Sequence, residues 1–272
     1  MDNRPVLFID SGIGGLPYCI NFHEKNKKEA VCYLADNQNF PYGPREKQEL
    51  AGILIKLTEK LLKTVNPKII VLACNTATIS GLDALRKRYP QIPFVGTVPA
   101  LKPASKTTSS GKIGVLGTER TIGEIRGLNL IDDSANSFEI VGIAAPELVE
   151  FVEKHFDNAD EKEKIEIVKK YIALFRAEGA DSLVLGCTHF LFLLDEFRRE
   201  ASPHIEVFDS LAGITKRIEF LLDENEGAKR ALRAENDSPI HQLLLTEAKP
   251  QESFWKDRAQ KLGFNLKLLS EI

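Results

Sequence analysis

The sequence predicts an α/β protein: two similar three-layer α/β lobes with mostly parallel, pseudo-symmetric sheets. Three observations carry this. Short apolar runs of strand length alternate with amphipathic stretches of helix length, the signature of parallel sheets covered by helices. The chain has 272 residues, which suits two domains of ordinary size. The pattern also restarts midway. Val6-Leu7-Phe8-Ile9-Asp10-Ser11-Gly12 resembles Ile113-Gly114-Val115-Leu116-Gly117-Thr118-Glu119, and Ile70–Thr76 resembles Leu183–His189 at a nearly equal offset, a weak internal duplication.

Taken in order, the first strand is expected over Val6–Ile9, followed by a glycine-rich turn, Asp10 to Leu16, that opens a helix containing Cys19. A second strand, Val31–Ala35, runs into a polar turn ending at Pro44. A helix is expected from Pro44 to Val65, where Leu50, Ile53, Leu54, Leu57, Leu61 and Leu62 form one apolar stripe. Strands follow over Lys68–Ala73 and Phe94–Gly96. The segment Pro99–Gly111 is polar and poor in large apolar groups, and reads as a hinge or linker. Beyond it, strands are expected over Ile113–Leu116, Phe138–Ile143, Ser182–Leu185 and Glu206–Phe208. A helix over Asp160–Glu178 turns Ile165, Val168, Ile172 and Phe175 inward, with Asp157-Asn158 as its cap. The last stretch reads as a helix from Leu211 to Leu222, a charged loop, a strand-like run His241–Leu245 and a charged helix from Glu252 to Leu262. These return to the first lobe. The expected lobes are therefore 1–98 plus 209–272, and 99–208, joined by two connections that restrict their motion to a hinge.

Composition narrows the function classes. The chain is 43% hydrophobic and 28% charged with a formal net charge of -3, so neither a nucleic-acid nor a membrane partner is expected. Its lysine clusters, Lys25 to Lys28 and Lys162 to Lys164, read as solvated surface. No run of about 18 apolar residues is present to span a bilayer. The opening run Val6–Ile9 is too short for a signal-peptide core, so a cytoplasmic location is expected.

The four cysteines form no C-x-x-C pair, and a reducing compartment disfavours disulfides. Cys19 and Cys32 lie within a helix-like and a strand-like segment and read as core residues. Cys74 and Cys187 differ: each ends an apolar run, as Ala73-Cys74-Asn75-Thr76-Ala77-Thr78 and as Gly186-Cys187-Thr188-His189. Each is expected where a buried strand meets the loop before a helix, the end of a parallel sheet at which ligands bind. A helix N-terminus favours the thiolate at such a position. Two thiols facing one carbon from opposite sides could remove a proton and return it on the other face, inverting the stereocentre. Because an α-proton is far less acidic than a thiol, preorganised hydrogen bonds would also have to stabilise the carbanion.

Other chemistries remain open at this level. Cys187 with His189 could serve a cysteine-nucleophile hydrolase, although two residues around a turn are not expected to reach each other. Cys74, Cys187 and His189 offer three ligands where zinc takes about four, so no metal is expected. Asp10-Ser11-Gly12-Ile13-Gly14-Gly15-Leu16 lets a backbone approach an anion, but Pro17 stands where a dinucleotide fingerprint needs glycine, and a helix cap is the simpler account. The turn after the second strand, with Pro41, Tyr42 and Gly43, is an ordinary turn or a polar flap over a small ligand.

Together these segments resemble the cofactor-independent aspartate/glutamate racemase family, in the family's own order. They are Phe8 to Leu16, Asp36-Asn37 with Pro41-Tyr42-Gly43, Ala73 to Thr78, Gly114 to Thr118, and Gly186 to His189. His189 fits the glutamate branch; the aspartate branch usually carries glutamate there and histidine at the position of Thr78. The resemblance implies two α/β lobes with the active site between them, no cofactor, no metal, glutamate as the small-molecule substrate, a homodimer, and D-glutamate supplied for peptidoglycan. It implies that Cys74 takes the proton from D-glutamate and Cys187 from L-glutamate, assisted by Asp10 and His189. Ser11, Pro41, Tyr42, Gly43, Asn75, Thr76, Thr118 and Thr188 would bind substrate beside Asp10, Cys74, Cys187 and His189, with Asp36 and Glu153 in support. The chain departs from the family's usual pattern at Phe190 and Leu191, where Tyr-Pro is common, and at Ala145, where many relatives have a third cysteine. A racemase for aspartate or another acidic amino acid, a single-cysteine hydrolase and a non-catalytic binding protein are the competing readings.

Overall fold

The structure is a computed structural model that describes residues 2–127, 138–224, 228–231, 239–248 and 252–272. The expected charged loop after the Leu211 helix lies largely outside them. In chain order the first elements are β1 (Val6–Asp10), α1 (Leu16–Lys25), β2 (Val31–Ala35), α2 (Lys47–Thr64), β3 (Ile69–Leu72), α3 (Asn75–Arg88) and β4 (Phe94–Gly96). Then come α4 (Leu101–Thr107), β5 (Lys112–Gly117), α5 (Glu119–Gly127), β6 (Glu139–Ala144), α6 (Pro146–Lys154), α7 (Glu161–Ala177), β7 (Ser182–Leu185), α8 (Leu194–Ala201) and β8 (Glu206–Phe208). The chain closes with α9 (Leu211–Glu224), β9 (Gln242–Leu245), α10 (Glu252–Leu262) and β10 (Asn265–Leu268). It divides into two compact units, Met1–Thr97 with Leu211–Ile272, and Val98–Ser210.

In the first unit the strands lie in the order β10-β9-β2-β1-β3-β4, all parallel where paired. Every residue of β1 and β2 is buried, because helices cover both faces of the sheet. Leu7 and Ile9 face one way and pack with Leu50, Leu54 and Leu61 of α2 and with Ala77 and Leu85 of α3. Phe8 faces the other way, its ring 5.9 Å from Phe22 of α1. The period-2 strand and period-3.6 helix patterns thus meet where the sequence places them. α2 begins at Lys47, three residues after the expected start, and Ile53 and Leu57 are only half-buried; Thr58 takes a place in the centre of its buried face. α3 packs closely on α2 because Gly81 has no side chain; a Cβ there would fall 2.5 Å from the Leu54 Cδ1 atom.

The second unit holds the sheet β6-β5-β7-β8, also parallel. Its order repeats β2-β1-β3-β4 with β5 in the role of β1 and β7 in that of β3, so the repeated sequence segments occupy corresponding strands. Two expectations need correction here. Pro99–Gly111 is not an open linker, since α4 forms within it. Ala100, Leu101 and Ala104 fall on one side of that helix and pack with Ile113, Val115 and Val184. The cap of α7 is Asp160 rather than Asp157-Asn158. Its carboxylate accepts from the Glu163 N–H at 2.8 Å while Glu163 accepts from the Asp160 N–H at 2.9 Å, a reciprocal capping box. The expectation also omitted β10, whose short Asn-Leu-Lys-Leu alternation forms the edge of the first sheet. Among the described residues no helix is long and apolar enough to cross a membrane.

Candidate active site

The first cluster gathers at the carboxyl ends of β1, β2 and β3. The ladder between β1 and β3 ends at the pair Ile9 and Leu72, and is extended by the Ala73 N–H donating to the Ile9 carbonyl at 2.8 Å. Cys74 follows with extended backbone as the N-cap residue of α3, and its thiol is half-buried. Asp10, at the last position of β1, is fully buried; its carboxylate accepts from the Gly12 N–H at 3.0 Å and the Ser11 hydroxyl at 3.4 Å. The sequence reading allowed an Asp-Ser-Gly cap for α1. Asp10 instead closes the turn before it, and the N-cap position belongs to Gly15. Gly15 is required on steric grounds: a Cβ there would lie 2.7 Å from the Ala73 Cβ and 2.8 Å from the Ala73 carbonyl oxygen. The turn carrying Asp10 therefore rests directly on the residue before Cys74. Tyr33 of β2, which the sequence reading missed, donates from its hydroxyl to the Gly12 carbonyl at 2.7 Å and pins the turn from the other side.

The segment after β2 adds Asp36 and Tyr42, both buried, with the Tyr42 hydroxyl donating to Asp36 Oδ2 at 2.7 Å and the Asn39 amide donating to the same carboxylate. Burial pushes the Tyr42 phenol well above its ordinary pKa, and the negative charge of Asp36, Cys74 and Asp10 adds to the effect. Tyr42 is thus a neutral hydroxyl among the acids around Cys74. Asn75 and Thr76 are buried in the first turn of α3. Pro41 is exposed, and Gly43 stands in open space where a side chain would meet nothing.

The second cluster sits at the corresponding end of the other sheet. There the Gly186 N–H donates to the Leu116 carbonyl at 2.7 Å, and a Cβ at Gly186 would approach that carbonyl oxygen to 3.0 Å. Cys187 follows, again extended and again an N-cap, but of a 3-10 helix over Thr188–Leu193 that precedes α8. The two thiols thus stand two residues beyond the last ladder residue of β3 and of β7, Leu72 and Leu185. The helix expected directly after Cys187 is the shorter, tighter kind.

Cys187 and His189 do reach each other, contrary to expectation: Sγ lies 3.7 Å from Nδ1. The ring's other nitrogen, Nε2, lies 2.6 Å from Glu153 Oε1 of α6, and all three side chains are buried. Burial opposes charge on the imidazole, but the hydrogen bonds to Cys187 and Glu153 outweigh it and hold the His189 pKa well above its ordinary value. Protonated, His189 donates Nε2–H to the carboxylate and Nδ1–H to the sulfur. Thr188 is buried beside them, and the Thr118 hydroxyl lies 3.0 Å from that of buried Thr121 at the start of α5. Among the described residues no group of three His, Cys, Asp or Glu side chains is arranged to hold a metal ion.

Cys19 and Cys32 are fully buried in the first unit, where burial raises both thiol pKa values far above the ordinary range. They are inert core residues, as expected for a small apolar side chain without a charge partner.

Comparison with known proteins places the chain. The pattern of the Asp/Glu/Hydantoin racemase family matches residues 23–217. A glutamate racemase of Brucella anthropi is 36% identical over 239 residues, covering 87% of this chain and 86% of the relative. One of Bartonella henselae is 37% identical over 227 residues, covering 82% and 84%. Among solved structures, Escherichia coli glutamate racemase, in complex with L-glutamate and the activator UDP-MurNAc-Ala, matches with a TM-score of 0.82 at 27% identity over 97% of both chains. With the family pattern spanning most of its length and relatives of this identity covering more than four-fifths of it, the chain belongs to the Asp/Glu/Hydantoin racemase family.

Proposed function

We propose that this chain racemises glutamate, interconverting the L and D forms by proton transfer between the α-carbon and the two thiols of Cys74 and Cys187. The observation that carries the reading is the repetition of one arrangement. In each sheet a cysteine stands two residues past the end of the strand corresponding to β3, held by a backbone hydrogen bond from the preceding residue to the neighbouring strand. A family whose relatives are glutamate racemases supplies the substrate.

In the direction from L-glutamate, the Cys187 thiolate takes the α-proton, the electron pair stays on the α-carbon and its carboxylate, and the Cys74 thiol delivers a proton to the opposite face. Cys74 ends as thiolate and Cys187 as thiol, which readies the enzyme for the reverse direction. His189, held in place by Glu153, stabilises the Cys187 thiolate with its Nδ1–H, and Asp10 plays the supporting part at Cys74. Ser11, Tyr42, Asn75, Thr76, Thr118 and Thr188, with the backbone at Pro41 and Gly43, bind the ammonium and carboxylates. General acid–base groups so placed contribute ~10²–10⁴-fold each. The product would feed peptidoglycan synthesis from the cytoplasm, and the protein acts as a homodimer.

A second reading has one observation in its favour. Cys187, His189 and Glu153 form the nucleophile, base and orienting acid of a thiol hydrolase. One experiment separates the two: purified protein without added cofactor is incubated in deuterated water with each glutamate enantiomer, alongside Cys74→Ser and Cys187→Ser. The expected result is α-hydrogen exchange and racemisation lost in both variants. Full activity of either variant toward both enantiomers sinks the two-thiol mechanism, and an acyl-enzyme trapped on Cys187 establishes the hydrolase.

A further inference from the structure

The two thiols are fixed by different means, and the difference lies one helical turn beyond each cysteine. At Cys187 the following turn is 3-10, closed by the Phe190 N–H donating to the Cys187 carbonyl at 3.2 Å, and His189 approaches the sulfur directly. At Cys74 the turn is α-helical, closed by the Thr78 N–H donating to the Cys74 carbonyl at 2.9 Å. The Thr78 side chain is buried and turned back to the sheet. Its hydroxyl donates to the Leu72 carbonyl at 3.3 Å and accepts from the Thr97 N–H at 3.0 Å. Thr97 also donates to the Leu72 carbonyl at 3.2 Å.

One hydroxyl therefore joins three elements: the end of β3 two residues before Cys74, the first turn of the helix Cys74 caps, and Thr97, where the chain leaves the first unit. Gly96 makes room for it, because a Cβ there would lie 2.5 Å from the Thr78 Cγ2 atom and 2.8 Å from Leu82 Cδ2. The position four residues after Cys187 is Leu191, a buried apolar side chain with no hydroxyl to offer. We propose that Thr78 is a positioning residue for Cys74, whose hydroxyl locks the N-terminus of α3 to the ends of β3 and β4 and so sets the sulfur's place and the helix dipole behind it. A helix terminus acts only on charges within its first turn, so a slip of α3 against β3 alters both at once. This rests on the proposed racemisation for its catalytic consequence.

The test uses Thr78→Val, which keeps the shape and removes the hydroxyl, with Thr78→Ser as the conservative control and Gly96→Ala to press on Thr78 from the other side. Thr78→Ala serves in place of the valine variant should that one not fold. The racemisation rate is expected to fall roughly ten- to hundredfold in Thr78→Val and Gly96→Ala, as misplacement of a reacting group does, and to return largely in Thr78→Ser. The diagnostic readout is the isotope effect on kcat/KM with glutamate deuterated at the α-carbon. It should rise for the enantiomer whose proton Cys74 removes and fall for its mirror image, in the same sense as in Cys74→Ser. Alkylation by iodoacetamide, followed peptide by peptide, should slow about threefold at Cys74 with Cys187 unchanged. Isotope effects that shift equally for both enantiomers, or equal alkylation changes at both cysteines, overturn the proposal. Absence of racemisation in the unmodified protein would defeat the proposed function alone, since the alkylation comparison still decides the role of Thr78.

Discussion

The Cys187 sulfur lies 3.7 Å from Nδ1 of His189 although only one residue separates them. Cys187 is an extended N-cap residue and His189 the second residue of the turn that follows. That is the geometry by which an N-cap side chain ordinarily reaches back over N2 and N3. Glu153, distant in sequence, then closes the chain on the far side of the ring.

Replacing Glu153 by Gln is expected to lower the His189 pKa, which nitrogen-15 NMR of the imidazole measures. The folded-state pKa of His189 is raised, so protonation favours the native state. This stabilisation is fully present below the unfolded histidine value of about 6.5 and is lost as pH rises through the folded value. The unmodified protein should therefore lose stability as pH rises above neutrality, and its advantage over Glu153→Gln should shrink in the same window. Parallel stability profiles for the two proteins would refute this coupling.

Gly15→Ala places a methyl group against the Ala73 backbone, where no flexible side chain can yield. The expected cost is about 1–3 kcal/mol in urea unfolding, the range for overpacking. Racemisation should fall further than stability does, because the displaced residue adjoins Cys74. Gly43→Ala, at a position with open space, should leave stability within about 0.5 kcal/mol.

Lys68 is completely buried, and its ammonium donates to Glu29 at 2.6 Å and to the Asp2 and Lys229 carbonyls at 2.9 and 3.0 Å. Lys68→Met leaves the Glu29 carboxylate buried without its cation, and should destabilise the protein by about 3–5 kcal/mol. Adding Glu29→Gln to that variant should recover part of the loss, because no bare charge remains. Both effects are read from thermal unfolding, and a loss under 1 kcal/mol would show the pair to be dispensable.

Much of the fold was legible because apolar runs and helical stripes are local. β2, β4, β7 and β8 have the expected bounds, and β1 and β3 differ from them only at their ends. The two cysteines stood out for the same reason, each marking the end of a run. Elements with weak local signals were missed or misread. α4 is a short helix in which small residues pack on a sheet, and its polar composition concealed it. β10 alternates as a strand buried on one side does, but at four residues it is too short for that alternation to stand out.

The sequence by itself determined the two α/β halves, the placing of Cys74 and Cys187 at strand ends, and, by resemblance, the family. Those features follow from periodicity and from the order of motifs along the chain. Only the tertiary structure decided which distant groups support the segments that carry each thiol within its own unit. Glu153 reaches His189 across 36 residues, Tyr33 reaches Gly12 across 21, and Thr78 reaches Thr97 across 19. A hydrogen bond depends on separations of about 3 Å between atoms brought together by folding, and no periodicity in the chain encodes which distant side chain arrives there.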